Sequence, residues 1–583
     1  MSVDAATPTR RDFGWVTTAT EWARTSSGGL LASALTVGAT AGLFAVGFRW
    51  LIKGFTLALT GHVDYAAVPG AASAYLPALG PWFVLGTPVV AGLLYGPLVY
   101  FFAPEARGHG VPEVMFAVAK KGGRIPPQVA GVKALASALC LGGGGSVGRE
   151  GPIVQIGSAL GSTLGRILRM PEPRLRVLVA CGAAGGIAAT FNAPLAGVFF
   201  AMELILANFA PQSFGMVVLA SVTASVIGRA FLGDEPFLRL PAFTVTSPAE
   251  FALFAVLGVL AGVVGVGFTR VLYAIEDLCD AVWRGPEWLR PAVGGLGLGV
   301  LLLLVPQMYG VGYPVLGNAI AHHYALGFLV VLLLSKMVAT SLTIGIGGSG
   351  GVFAPSLFIG AMLGSGFGEV AQHLAPGSAG PVGAYGLIGM GAVFAGAARA
   401  PITAVVILFE LTGEYSIILP LMMAIVLATG VSHVLSSDTI YTLKLRRRGV
   451  ALGVVETIAT AAPVASIMRQ APAAIASTAD LESTAAALAR SAYGVLPIEQ
   501  ADGSYGGVLT AREVADALSE PSGRGLTAGD LVERPTTIRP TDDIHAAIDA
   551  LDSSGCGAVP VLQDGTIVGW VDYSAALQGL RSP

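Results

Sequence analysis

The sequence predicts an all-α polytopic membrane domain of two related halves with broken helices, followed by a soluble α/β tail. Three observations predict this. Only 12% of the residues are charged and 54% are hydrophobic, about half the charge of an ordinary soluble protein. Long apolar segments fill the chain as far as residue 445 and then stop. A pattern of glycine and proline recurs at an offset of 203 residues, Gly145 against Gly348, and continues at 207 with a carboxylate, Glu203 against Glu410.

Spanning the hydrocarbon takes about 20 apolar residues. Segments 30–60, 82–103, 177–206, 212–232, 250–275, 291–308, 324–345 and 416–436 are read as spans. Segments 153–168 and 353–370 are shorter and glycine-rich, and are read as partial spans. Such interrupted helices survive at membrane depth only when buried in protein or lining a polar cavity. The N-terminus lacks the apolar core and cleavage site of a secretory signal. Arg10, Arg11 and Arg24 lie before the first span, and Lys444, Arg446, Arg447 and Arg448 follow the last one. The positive-inside rule places both termini in the cytoplasm. The boundaries expected are 1–29 for a cytoplasmic N-terminal segment, 30–450 for the membrane domain and 451–583 for the tail, whose two copies lie at about 459–520 and 525–580.

The repeat extends well beyond one motif. Gly145–Pro152 aligns with Gly348–Pro355, and Gly157, Gly161, Ser162 and Gly165 align with Gly360, Gly364, Ser365 and Gly368. Farther on, Gly182, Ala193, Pro194, Glu203 and Leu204 match Gly389, Ala400, Pro401, Glu410 and Leu411. In transporters such halves meet at a midplane site made by interrupted helices.

Three glycine-rich loops precede apolar helices: Gly108-His109-Gly110-Val111-Pro112, Gly148-Arg149-Glu150-Gly151-Pro152 and Gly350-Gly351-Val352-Phe353-Ala354-Pro355. The first turn of a helix leaves backbone N–H groups without partners, and the macrodipole makes that end partly positive. Glycine lets a small anion approach those donors. Partial charges suit an ion that must also leave.

These loops, with Tyr441 after the last span, resemble the CLC family of chloride channels and chloride/proton antiporters, whose chloride site carries GSGIP, GREGP, GxFxP and a tyrosine. The resemblance covers roughly residues 30–450. It implies two inverted repeats, a homodimer with one pathway per subunit, and transport of chloride across the plasma (inner) membrane by a protein that is not an enzyme. It also implies roles for the matching residues. Glu150 becomes the gating glutamate, whose carboxylate competes with the ion. Arg149 holds the field positive. Gly110, Gly151, Val352 and Phe353 offer backbone donors, Tyr441 offers a hydroxyl, and Lys133 adds positive potential. Read without the family, Glu150 is an acid satisfied by a helix N-terminus, and Lys133 is a lysine that snorkels to the headgroups.

Two departures from the family pattern stand out. His109 replaces the family's central serine; it either contacts the ion or faces an aqueous vestibule while backbone binds. Leu204 occupies the position of the intracellular proton-relay acid after the FNAPLAG motif (191–197), and Glu203 sits one residue earlier on another helical face. Leucine carries no proton, so the expectation is a glutamate-gated chloride channel of the voltage-gated type, with a chloride/proton antiporter as the alternative. A remote alternative is a membrane-anchored sensor.

The tail resembles a tandem CBS-domain pair. Tyr493–Ile498 and Gly507–Thr510 parallel Cys556–Val561 and Gly569–Asp572. Such pairs often hold adenine nucleotides on a Thr and an Asp; here Thr510 and Glu513 are the nearest match. A structural or dimer-forming module is the other reading. No resident cofactor and no metal site is expected: the scattered Cys140, Cys181, Cys279 and Cys556 and the histidines lack ligand spacing. A net charge of −3 offers nothing for nucleic acid.

Overall fold

The computed structural model describes residues 21, 22, 24, 26–233, 249–450, 463–491, 494–519, 525–533, 536–554 and 557–579. Arg10, Arg11, Tyr493 and Cys556 lie outside the described residues. The chain divides into two compact units at residues 452–453.

The first unit is helical throughout. Its first half runs α1 (Ser27–Thr60), a 3-10 segment (Pro77–Leu85), α2 (Thr87–Phe102), α3 (Val111–Lys120), α4 (Gln128–Gly142), α5 (Glu150–Ile167), α6 (Glu172–Phe191), α7 (Pro194–Phe200, continuing as a π-turn to Leu206) and α8 (Pro211–Leu232). The second half repeats that order: α9 (Ala249–Val282), α10 (Arg290–Leu304), α11 (Tyr313–Ile320), α12 (Leu326–Gly345), α13 (Phe353–Leu374), α14 (Val382–Ala398), α15 (Pro401–Thr412) and α16 (Ile418–Leu435), before a short α17 (Thr442–Arg447).

Local chemistry accounts for the ends. Ser26 caps α1 by accepting from Gly29 N, and Gly61 closes it in the left-handed region at φ 80°. Asn192 closes α6 at φ 57° and Arg399 closes α14 at φ 52°. Proline then starts α7 and α15, where its missing N–H costs nothing.

Seven helices among the described residues are long and apolar enough to cross a membrane, or eight if the 3-10 segment and α2, bent by 48°, make one span. The segment read as a single span over 177–206 is two elements, broken where Asn192 turns left-handed and Pro194 removes a donor. The segment expected at 291–308 forms α10, whose 15 residues reach only about 22 Å. Conversely, the partial span expected at 353–370 is a helix of 22 residues, long enough to cross.

Glycine brings the helices together. A Cβ on Gly157 would lie 2.1 Å from the Gly182 carbonyl, and one on Gly360 would lie 2.3 Å from that of Gly389. The same pair of positions thus seals α5 to α6 and α13 to α14, as small residues do at membrane-helix crossings.

The halves are related by inversion, as two carboxylates make visible. Glu203, late in the α7 element, accepts from Ile402 N (3.2 Å), Thr403 N (2.8 Å) and Thr403 Oγ1 (2.6 Å) at the start of α15. Glu410, late in α15, accepts from Leu195 N (2.9 Å) and Ala196 N (2.7 Å) at the start of α7. Each helix begins where its counterpart ends, so the two run antiparallel.

The second unit begins with α18 (Val464–Ile467) and holds two copies of one motif. The first pairs β1 (Ile475–Ala476) in parallel with β2 (Val495–Glu499), which pairs antiparallel with β3 (Tyr505–Thr510); α19 (Leu481–Leu488) and α20 (Ala511–Ser519) flank them. The second copy runs α21 (Ile544–Ser554), β4 (Ala558–Gln563), β5 (Thr566–Asp572) and α22 (Tyr573–Gly579). The β4–β5 turn places Asp564 at φ 53° and Gly565 at φ 83°, the two positive dihedrals that a tight hairpin needs. Each copy has its own apolar core, around Leu496 and Leu509 in the first and Val559 and Val571 in the second.

Candidate functional site

The three glycine loops of the membrane unit lie against one another. Gly108 N donates to Gly348 O (3.1 Å) and Gly350 N to Gly108 O (3.3 Å). Gly148 and Gly351 exchange both backbone hydrogen bonds, at 2.7 and 2.6 Å. Only residues without side chains permit this approach: a Cβ on Gly151 would lie 1.9 Å from the His109 carbonyl. The starts of α3, α5 and α13 are thereby gathered in one buried place.

Gly110, Arg149 and Val352 are the N-cap residues of those helices, and none of the three helices has a side-chain cap. A buried helix start without a cap leaves backbone donors facing inward. One carboxylate already occupies this place. Glu150 is 1% exposed; its Oε1 accepts from the Tyr313 hydroxyl at 2.6 Å, and its Oε2 lies 3.4 Å from Ala354 N in the first turn of α13. A Cβ on Gly148 would meet Oε2 at 2.0 Å, so the glycine is what lets the carboxylate fold back.

The remaining expected residues fall around it. The Arg149 guanidinium lies 5.6 Å from the Phe191 ring and 5.1 Å from the Tyr313 ring. Phe353 packs its ring against Phe191 (5.9 Å) and Phe394 (4.6 Å), which fixes the start of α13. Tyr441 is buried, lies within electrostatic reach of Glu150, and forms no hydrogen bond through its hydroxyl among the described residues.

At two residues the structure departs from the alternative reading. His109 does not face an aqueous vestibule: it is 3% exposed, with its ring 6.2 Å from that of Tyr273. Among the described residues neither of its ring nitrogens has a hydrogen-bond partner, an arrangement that costs free energy unless a ligand or water completes it. Lys133 does not snorkel. It is fully buried and donates to Ala106 O (2.9 Å) and Gly108 O (2.8 Å), fastening the loop that carries His109.

Sequence reasoning missed the counterparts of that fastening in the second half. Lys336, 203 residues after Lys133, donates to Gly310 O (3.1 Å), Val311 O (3.0 Å) and Ser146 Oγ (2.9 Å). The loop it holds, Gly310-Val311-Gly312-Tyr313-Pro314, is the repeat mate of Gly108–Pro112 and delivers Tyr313. The repeat was the signal for both, at an offset of 203 for the lysine and 202 for the loop. Leu204 is buried, and the Glu203 carboxylate is turned to the start of α15. A cavity of about 380 Å³ lies beside the site, lined by Arg49, Lys53, Arg149 and Tyr313 among others.

In the tail, Glu513 Oε2 accepts from both Thr510 N and Thr510 Oγ1 at 2.9 Å. The two residues expected to hold a ribose therefore cap α20 between themselves. Asp572 does the same in the second copy, accepting from Ala575 N at 2.6 Å.

Comparison with known proteins matches residues 91–433 to a family model described as voltage gated chloride channel, and residues 528–581 to the CBS domain. A putative chloride channel protein ClcB-like from Ralstonia nicotianae is 33% identical over 72% of this chain and 97% of its own length. An H(+)/Cl(-) exchange transporter ClcA from Vibrio parahaemolyticus is 36% identical over 60% of this chain and 76% of its own. Among solved structures, a slow cyanobacterial Cl−/H+ antiporter has 26% identity and a TM-score of 0.65, covering 72% of this chain and 97% of that one. A eukaryotic CLC transporter, at 23% identity and TM-score 0.59, shares the fold over 94% of this chain and 97% of its own.

Proposed function

The chain belongs to the voltage-gated chloride channel family of integral membrane anion-transport proteins, and from that premise we propose that it exchanges chloride for protons through the site around Glu150. The observation that carries the proposal is the place of the Glu150 carboxylate. It sits at the start of α13, where a helix N-terminus would otherwise attract a mobile anion. Chloride and carboxylate compete for these donors. Protonation neutralises the side chain, which then leaves and admits chloride.

In this reading backbone donors at Gly110, Gly151, Val352 and Phe353 hold the ion. Tyr441 and His109 supply further donors, and Arg149 and Lys133 keep the field positive. Each subunit of a homodimer has its own pathway, in the inner membrane, with both termini cytoplasmic.

Leu204 at the relay position favours a channel. The kinship with exchangers favours coupling, and we give it the greater weight because water can bridge an apolar residue in a proton route. The site geometry also speaks against a mere membrane anchor for the tail, since an anchor needs no buried cluster of uncapped helix starts.

Purified protein in liposomes tests the proposal. Under a proton gradient at symmetric chloride, the reversal potential should move toward the proton potential. A reversal potential that ignores the gradient would return the protein to the channels, and absence of chloride flux would remove transport altogether.

A further inference from the structure

We propose that Tyr313 is the latch of the gate: its hydroxyl holds the ionised Glu150 carboxylate in the blocking position and releases it on protonation. The inference rests on Glu150 being the gate. Tyr313 is a positioning residue, because it acts on transport through that carboxylate.

Five observations carry it. The phenol donates to Glu150 Oε1 at 2.6 Å, across 163 residues of sequence. Tyr313 is the first residue of α11, behind Gly312 in the left-handed region at φ 88°. The preceding loop is clamped by Lys336 through the carbonyls of Gly310 and Val311, so the phenol is presented from a rigid mount. The Arg149 guanidinium lies 5.1 Å from the centre of the Tyr313 ring, which braces the ring from the side of the gate's own helix. Finally, Tyr313 lines the cavity of about 380 Å³ that also carries Arg49 and Lys53. The phenol therefore stands between that cationic cavity and the carboxylate.

The physical chemistry gives the latch its switch. A hydroxyl donating to a carboxylate makes a charge-assisted bond, roughly twice as strong as a neutral one. Protonating Glu150 removes that assistance. The repeat mate of Tyr313 is Val111, so this donor exists in one half only. The charged and titratable groups around Glu150 are Arg149 at its own helix start, Lys336 from α12 and Tyr441 after α16, with Arg49 of α1 beyond Tyr313. Tyr313→Phe leaves all of them in place, along with the ring, and deletes only the hydroxyl.

The test uses full-length protein in liposomes and in detergent. Wild-type flux should rise as pH falls, and Glu150→Gln should abolish that dependence. Tyr313→Phe should raise the pH of half-maximal chloride flux by about one unit, the scale of one hydrogen bond to a charged group. Chloride binding by calorimetry at pH 7.5 should tighten about tenfold, because the carboxylate competes less well. In the Glu150→Gln background the same change should alter neither. Replacing Tyr313 by 3,5-difluorotyrosine, a stronger donor, should move the half-maximal pH the other way; this arm stands even where Tyr313→Phe does not assemble. A Tyr313→Phe or difluorotyrosine profile superimposed on wild type would overturn the latch, as would an equal shift with Glu150→Gln. Persistence of the pH response in Glu150→Gln alone would instead overturn the gate itself.

Discussion

Changing Glu203 to alanine removes three hydrogen bonds from the first turn of α15, to Ile402 N, Thr403 N and Thr403 Oγ1. Loss of a helix-capping acceptor costs about 0.5–2 kcal/mol, and loss of a negative charge near a helix start costs about 0.3–1 kcal/mol more. Glu203 is only partly buried, so water recovers some of the stranded donors. The expected cost is about 2 kcal/mol for alanine and about 1 kcal/mol for glutamine, which keeps one acceptor oxygen. Because Glu410 fastens the same pair of helices in the opposite sense, the double change should be non-additive. Thermal unfolding in detergent, followed by intrinsic fluorescence, should show the single variants lowered by a few degrees. Proton-coupled flux per folded molecule should survive in Glu203→Gln. A glutamine variant with unchanged stability and lost proton coupling would refute the argument and make Glu203 a proton carrier.

Three further outcomes are expected. Glu150→Ala should leave chloride flux present but independent of pH, as measured by chloride efflux from liposomes between pH 4.5 and 7.5 (about the range where a carboxylate titrates). His109→Ala should weaken chloride binding about fivefold, the worth of roughly 1 kcal/mol for one donor; unchanged calorimetry would leave the backbone as the sole holder of the ion. In the tail, a hydrogen bond to the Glu513 side chain, together with its charge, raises the Glu533 carboxyl above its ordinary value. The folded state then binds that proton more tightly than the unfolded chain, so this contribution is present below the ordinary glutamate range and is lost as pH rises through the raised value. Glu533→Gln should flatten that slope in urea unfolding of the tail followed across pH.

Much of the molecule is legible in residue order. The apolar spans, the repeat at 203 residues, the glycine loops and the two copies in the tail depend on near neighbours: hydropathy, turn chemistry and missing side chains act locally. The place of Glu150 in a glycine loop before a helix is legible in the same way, while its role as a gate came only from the family resemblance of that loop. Helix ends were less legible. Asn192 and Pro194 break a run that hydropathy reads as continuous, and α13 continues through Glu369 to Leu374 because one acid does not end a helix with a buried face.

What the tertiary structure alone decided is who meets whom. Tyr313 reaches Glu150 across 163 residues, Glu203 reaches Thr403 across 200, and Lys133 turns back to carbonyls 25 and 27 residues earlier. It also decided that His109 is buried, with no partner for either ring nitrogen among the described residues. Hydropathy is a property of each segment, and the repeat is a property of residue order. A hydrogen bond between distant segments depends on how helices of both halves close around one point, and that closure is set by packing, such as the glycine contacts of α5 with α6 and α13 with α14.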